Sequence, residues 1–225
     1  MQNKIKVLLF CKDTIWCQVV RKFLELNTDC KTFSIDNDEE YWYFCRYPQE
    51  KVDWVISFLS PWILPKDILE LGIKGAINFH PGPPEYPGIG GYNFAIYENS
   101  KFYGTTCHHM LEKVDSGKII MDFRFPLCGN ETVESLKERS MISLTELFFM
   151  IIDMILKDIE LPISSHQWSK LRTRKEFQEL CRCDLSMSEE ELLKRVKACY
   201  FPDALDLPYL QLKEKKVFLL FERKD

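Results

Sequence analysis

The chain has 225 residues, 46% hydrophobic and 28% charged, with a formal net charge of −4. This is a globular composition, long enough to bury a substantial core in one main domain with an extension. It excludes a broad basic face for gripping nucleic acid. The longest apolar stretch, Leu147 to Leu156, is interrupted by Asp153 and is too short to span a bilayer. The first residues, MQNKIKVLLFCKD, lack the apolar length and cleavage site of a signal peptide, so a cytoplasmic location is expected. The nine cysteines are accordingly expected as reduced thiols, including Cys181 and Cys183, and no metal site is expected.

Lys4 to Phe10 is an apolar, β-branched run and predicts a buried first strand. Ile15, Val19, Val20, Phe23 and Leu26 recur at helical spacing, with Thr14 or Asp13 as the cap. Thr32 to Ile35 is a candidate second strand, and Val52 to Leu59 a buried third, stopped by Ser60-Pro61. Pro65 to Leu71 suits a short helix, with Pro at its start and Gly72 after its end. Gly75 to Phe79 predicts a strand running straight into His80-Pro81-Gly82. The Pro- and Gly-rich stretch from Pro81 to Gly91 is a shaped loop, followed by a helix over Tyr92 to Glu98. Two strands, Tyr103 to Leu111 and Ile119 to Phe125, flank a turn at Lys113 to Lys118. Glu131 to Leu156 is a long helical run, with Glu131 and Glu134 expected in its first turn.

After Pro162 the texture changes. Arg172 to Cys183 is charged and helix-compatible, and Ser188 to Tyr200 opens with a capping pattern. Tyr209 to Leu212 and Lys216 to Phe221 predict a terminal hairpin. The order of elements implies an α/β fold: a Rossmann-like, mostly parallel sheet flanked by helices, plus a small C-terminal helix and β-hairpin. The division expected is 1–162 for the main domain and 163–225 for the extension.

Chemistry concentrates in Asn78-Phe79-His80-Pro81-Gly82. Residues two apart on a strand share a face, so Asn78 and His80 project together at a strand's carboxyl end. An Asn amide can donate to a developing oxyanion, and a His can exchange a proton near neutrality. Asp115, in the turn Val114-Asp115-Ser116-Gly117, could favour a nearby imidazolium and orient an amine or a water. Taken singly, an Asn-x-His strand end or an Asp-Ser-Gly turn is more often structural than catalytic.

Their order and spacing carry more. Asn-x-His-Pro-Gly, then Tyr86-Pro87-Gly88, a helix, a Gly-Thr-Thr strand and Val-Asp-Ser-Gly resemble the folate-dependent formyltransferase family. The pattern NxHxSLLPxYxG…GxTxHxM…xDxG is matched from Gly75 to Ile120, within a likeness of elements from Lys4 to Leu156. The resemblance implies Asn78, His80 and Asp115 as the catalytic set, and N10-formyltetrahydrofolate as co-substrate. It also implies a folate site at Trp62, Ile63 and Leu64 and at Lys113, Val114 and Asp115. A plain core role is the competing reading for the first three. Gly82-Pro83-Pro84-Glu85 replaces the family's Ser-Leu-Leu-Pro loop. Cys107-His108-His109 stands where many relatives have one His; His108 takes that position, and His109 is expected to be structural.

Three branches of the family differ in their acceptor amine. The loop Cys11-Lys12-Asp13-Thr14-Ile15 has no glycine to let backbone amides close on a phosphate, which disfavours glycinamide ribonucleotide transformylase. The tail is too short for the basic barrel of methionyl-tRNA formyltransferase. The branch left is that of sugar N-formyltransferases, acting on a nucleotide-linked amino sugar such as dTDP-4-amino-4,6-dideoxyglucose in surface polysaccharide (O-antigen) biosynthesis. Lys12, Tyr86, Tyr92 and His108 are the candidate acceptor contacts, and Arg172 or Arg174 could meet a pyrophosphate. A homodimer joined through the terminal hairpin is expected. A 10-formyltetrahydrofolate hydrolase and a non-catalytic folate- or nucleotide-binding module are the alternatives.

Overall fold

The computed structural model of the chain describes residues 4–34, 44–46, 49–202 and 207–220. Strand β1 (Lys6–Cys11) leads into helix α1 (Ile15–Asn27) and strand β2 (Asp29–Ser34). Then come β3 (Val52–Phe58), the short helix α2 (Lys66–Leu69) and β4 (Gly72–His80). Helix α3 (Gly91–Tyr97), strands β5 (Phe102–His109) and β6 (Ile119–Pro126), and the long helix α4 (Val133–Leu156) complete the main unit. The six strands form one sheet in the order β2-β1-β3-β4-β5-β6. The first four are parallel, and β5 and β6 run antiparallel at one edge.

The alternation of β1 builds two cores at once. Val7, Leu9 and Cys11 pack on one face with α1 and α4, around Phe148 and Leu144. Leu8 and Phe10 pack on the other face with Phe33, Leu64 and Ile68. A strand covered on both sides must be apolar at every position, which is why KVLLFC shows no polar alternation. Helix α1 starts where Thr14 accepts a hydrogen bond from the Cys17 amide, and it buries Cys17, Val20 and Leu24. Strand β2 begins earlier than expected, at Asp29, in parallel register with β1; Ile35 lies outside the described residues. It is an edge strand, so its polar residues Asp29 and Lys31 can face water, which hid its first residues from an apolar search.

Helix α4 is capped by Thr132, and Glu131 precedes it, which corrects its expected place in the first turn. The Glu131 carboxylate instead accepts from the amides of Cys128 and Gly129 at 2.6 and 2.8 Å and pairs with Arg139 at 3.2 Å. It supports the turn before the helix rather than the helix itself.

The rest of the chain forms α5 (Arg174–Cys181), β7 (Arg182–Cys183), α6 (Glu189–Cys199), β8 (Tyr209–Leu212) and β9 (Lys215–Phe218). The terminal hairpin is β8–β9; of its expected second strand, Phe221 lies outside the described residues. The two-residue β7 adds a third strand beside β8, too short to leave a periodic signal. Phe177, Leu180, Cys181, Ala198 and Cys199 share one apolar cluster with Tyr86, Phe94, Tyr103 and Leu136. The two sides of the expected boundary at Pro162 therefore bury each other. No helix among the described residues is long and apolar enough to cross a membrane.

Candidate active site

Asn78 and His80 stand at the carboxyl end of β4, in the region where parallel α/β sheets bind ligands. Strand pairing decides their neighbours. Asn78 lies directly across from His108 on the β5 side and from Ser57 on the β3 side. Asp115 arrives from the turn between β5 and β6, in a left-handed conformation with φ 44°. Its Oδ2 is 3.5 Å from His80 Nδ1, and its Oδ1 is 3.5 Å from His108 Nε2. The Gly88 amide donates to Asp115 Oδ2 at 2.9 Å. Four polar side chains thus converge from two strands and one turn.

Hydrogen-bond chemistry fixes the orientation of the Asn78 amide. His108 Nδ1 lies 2.8 Å from the His109 carbonyl oxygen, which can only accept, so Nδ1 carries the proton. His108 Nε2 is then an acceptor, and the Asn78 amide nitrogen, 3.1 Å away, donates to it. The longer contact with Asp115 Oδ1 does not override this. Asn78 keeps a second N–H on the same nitrogen, and that is the group an oxyanion needs. His108 therefore sets which end of the Asn78 amide is available.

Both nitrogens of His80 face oxygens, Asp115 Oδ2 through Nδ1 and the Tyr86 carbonyl at 3.4 Å through Nε2. Both contacts are long for hydrogen bonds, so the ring keeps capacity for a closer partner. Burial pushes the His80 imidazole below its ordinary value, the Asp115 carboxylate opposes that, and His108 reinforces it. Burial pushes Asp115 the other way, but the attraction of His80 and the hydrogen bond from the Gly88 amide outweigh it and hold the carboxyl at about 2. Near pH 7 the site presents a neutral imidazole able to take a proton, beside a fixed carboxylate.

The loop after His80 is held along its length. Thr106 Oγ1 donates to the Gly82 carbonyl at 2.8 Å, and the Ser169 amide to that of Pro84 at 2.9 Å. Arg172 gives its N–H to Pro87 and takes one from Ile89. Gly88 has φ +87°, and a Cβ there would lie 2.3 Å from the Arg172 carbonyl oxygen, so the position requires glycine.

A cleft of about 530 Å³ opens beside this cluster. Asn78, His80, Asp115 and His108 line it, together with Trp62, Ile63, Leu64, Lys113 and Val114. Ile63 and Val114 are exposed apolar side chains at its walls. The expected acceptor contacts divide. His108 is in the cleft; Lys12, Tyr86 and Tyr92 are not among its walls. The Tyr86 hydroxyl donates to Glu98 at 3.1 Å and its ring stacks on Tyr103, while Tyr92 also packs on Tyr103. Arg172 lines the cleft, with its guanidinium held by Glu98 at 2.6 Å and lying over Phe94.

Sequence reasoning missed Ser57, Leu69, Met110 and Gly88 as cleft walls. Ser57 could have been found by aligning β3 with β4, since it is the register partner of Asn78. It also missed Trp168, whose ring meets His80 and His108 edge-on at 5.9 and 5.0 Å. Nothing local in Gln167-Trp168-Ser169 announces that contact.

Residues 44–148 match the family model described as Formyl transferase. Over 127 residues the chain is 29% identical to the methionyl-tRNA formyltransferase of Bacteroides thetaiotaomicron, covering 54% of this chain and 39% of that one. The matched stretch is thus well under half of that relative's length. A 4-N formyltransferase from Francisella tularensis has the same fold, with a TM-score of 0.75 at 19% identity over 98% of both chains. The N-formyltransferase of Helicobacter canadensis, solved with folinic acid and dTDP-3-aminofucose, matches with a TM-score of 0.67 at 18% identity. That match covers 86% of this chain and 80% of the other.

Proposed function

We propose that this formyl transferase domain moves a formyl group from N10-formyltetrahydrofolate to the amine of a nucleotide-linked amino sugar, such as dTDP-4-amino-4,6-dideoxyglucose. The observation that carries the reading is the convergence of Asn78, His80 and Asp115 on one end of a largely apolar cleft. Flat heteroaromatic rings favour an apolar slot edged by backbone donors and acceptors. Trp62, Leu64, Leu69, Met110 and Val114 supply such walls, and the chain at 62–64 and 113–115 supplies the edges.

The donor supplies an activated formyl carbon. When an amine attacks that carbon, negative charge grows on the formyl oxygen, and the amine becomes acidic. The spare N–H of Asn78 can donate to that oxygen, because His108 occupies the other. Neutral His80 can accept the amine proton directly or through a water, and ionised Asp115 stabilises the imidazolium that results. The proton must return to the leaving nitrogen of the folate, and the His80 imidazolium can return it.

The sugar acceptor is supported by the likeness to the Francisella structure over 98% of both chains and to the Helicobacter structure over 86% of this chain, the second of which holds a dTDP-linked amino sugar. The test is to incubate the pure protein with N10-formyltetrahydrofolate and a panel of nucleotide-linked 3- and 4-amino sugars, reading the gain of one formyl group by mass spectrometry. Asn78→Ala and His80→Ala should each lower the rate on the order of 10²-fold or more. Folate turnover without a formylated sugar would overturn the acceptor assignment.

A further inference from the structure

We propose that Trp168 is a positioning residue of the active site, clamping the Asp115 turn and both imidazoles from a segment more than fifty residues further along the chain. The inference rests on the catalytic reading of His80 and Asp115 given above. Three contacts made by one side chain carry it. The indole Nε1–H donates to the Gly117 carbonyl at 2.8 Å, at the far end of the turn that presents Asp115. The ring packs against His80 at an interplanar angle of 79°, and against His108 at 87°. The carboxylate turn, the general base and the amide-orienting histidine are thus held by a single rigid group with two rotatable bonds.

The segment that carries Trp168 is itself fastened on both sides. Upstream, the Ser164 amide donates to the Ile119 carbonyl, and Ser164 Oγ and His166 Nδ1 both meet Asp122 Oδ1 at 2.9 Å. Downstream, Ser169 and Arg172 bond to the loop that follows His80. The segment is therefore a strap across the end of β4, β5 and β6 rather than a passing linker. Trp168 is absent from the cleft walls, so its effect on the chemistry runs through the histidines and the Asp115 turn.

The indole excludes water from the imidazole edge it covers. The ionisable groups facing His80 are Asp115, from the turn, and His108, from β5; Tyr86 offers only its carbonyl, and Trp168 brings no charge. Removing the indole lets water reach His80, which favours its protonated form. In Trp168→Ala the acid limb of kcat against pH should move to higher pH, by about one unit. In Trp168→Phe the ring remains but the bond to Gly117 is lost. Its kcat should fall about tenfold with the KM for folate unchanged, as the Asp115 turn loosens.

An activity-independent readout completes the test. An imidazolium in contact with an indole quenches its fluorescence. Emission of the wild type should therefore drop as His80 is protonated, and the Trp168→Phe variant should lose that step while the other four tryptophans remain. A wild-type acid limb in Trp168→Ala, or wild-type kcat in Trp168→Phe, would overturn the proposal. So would the same fluorescence step in both proteins. If Trp168→Ala does not fold, Trp168→Phe decides. If the wild type transfers no formyl group at all, the reading of the site fails separately, and the fluorescence titration alone judges the clamp.

Discussion

At the scale of single residues, the cluster sets two protonation states apart. His80 is half-buried, and the burial keeps it neutral below the usual histidine range, while Asp115 stays ionised down to about 2. Linkage turns both into stability. In the unfolded chain His80 takes up a proton near its ordinary value, whereas in the folded chain it resists. Stability should therefore fall as pH drops below about 6.5, and Asp115 adds a further loss from about pH 4 downward toward its own value. The expected result is a thermal midpoint that declines from pH 7 to pH 5, with a flatter slope in His80→Gln. An unchanged slope would show that His80 is not the group resisting protonation. Asp115→Asn tests the other partner. Without the carboxylate, His80 becomes harder to protonate, so the acid limb should move to lower pH while the maximal rate falls. That shift is opposite in sign to the one expected for Trp168→Ala.

At the scale of elements, the decisive unit is the loop from Pro81 to Gly90. It has no regular structure, yet its carbonyls and amides are claimed by Thr106, Ser169, Arg172 and Asp115. Gly88 sits at the junction, giving its N–H to Asp115 and lying against Arg172. Gly88→Ala meets both a positive φ and a close backbone oxygen. The strain alone should cost about 1–3 kcal/mol, measured by denaturant unfolding. Because the same change displaces a donor from Asp115, activity should fall further than stability. A variant that kept wild-type activity would mean that the Gly88 amide is dispensable to the carboxylate. Arg124 shows how the loop is tied sideways, reaching Glu85 at 2.7 Å and Asp122 at 3.0 Å from the edge strand β6.

At the scale of the whole molecule, three apolar clusters share the sheet and its flanking helices. The cluster between α1, α4 and the sheet centres on Phe148, fully buried against Phe58 and Phe79 at ring distances of 5.6 and 5.1 Å. Phe148→Ala should destabilise by about 3–5 kcal/mol, because a large void opens where three rings meet. Circular dichroism and fluorescence should report one coincident unfolding transition, shifted as a whole. The reason is the cluster that joins Tyr103 and Leu136 to Phe177 and Ala198, across the boundary expected at Pro162. Two separate transitions would show that the C-terminal part folds on its own.

Much of this was legible in the sequence. The double-sided apolar strands KVLLFC and VDWVISF, the caps Thr14 and Ser188, and the Asn-x-His strand end all depend on neighbours close in the chain. Their periods and caps are local, so local patterns betray them. The pairing of Asn78 with His80 follows from strand geometry alone. Sequence could not decide which distant groups meet that pair. The alignment of His108 opposite Asn78 depends on an antiparallel register, and a one-residue slip would have turned His108 away. The burial that keeps His80 neutral, the amide that holds Asp115, and the indole of Trp168 come from three separate segments. The aromatic residues Tyr86, in the loop, and Tyr92, at the start of the helix after it, invited a binding role by their place near the catalytic end, yet packing turned both toward Tyr103. Side-chain type and spacing determined the chemistry available to this protein. Tertiary packing alone decided which of those groups are dry, charged and within reach, because burial and long-range contact are properties of the folded whole.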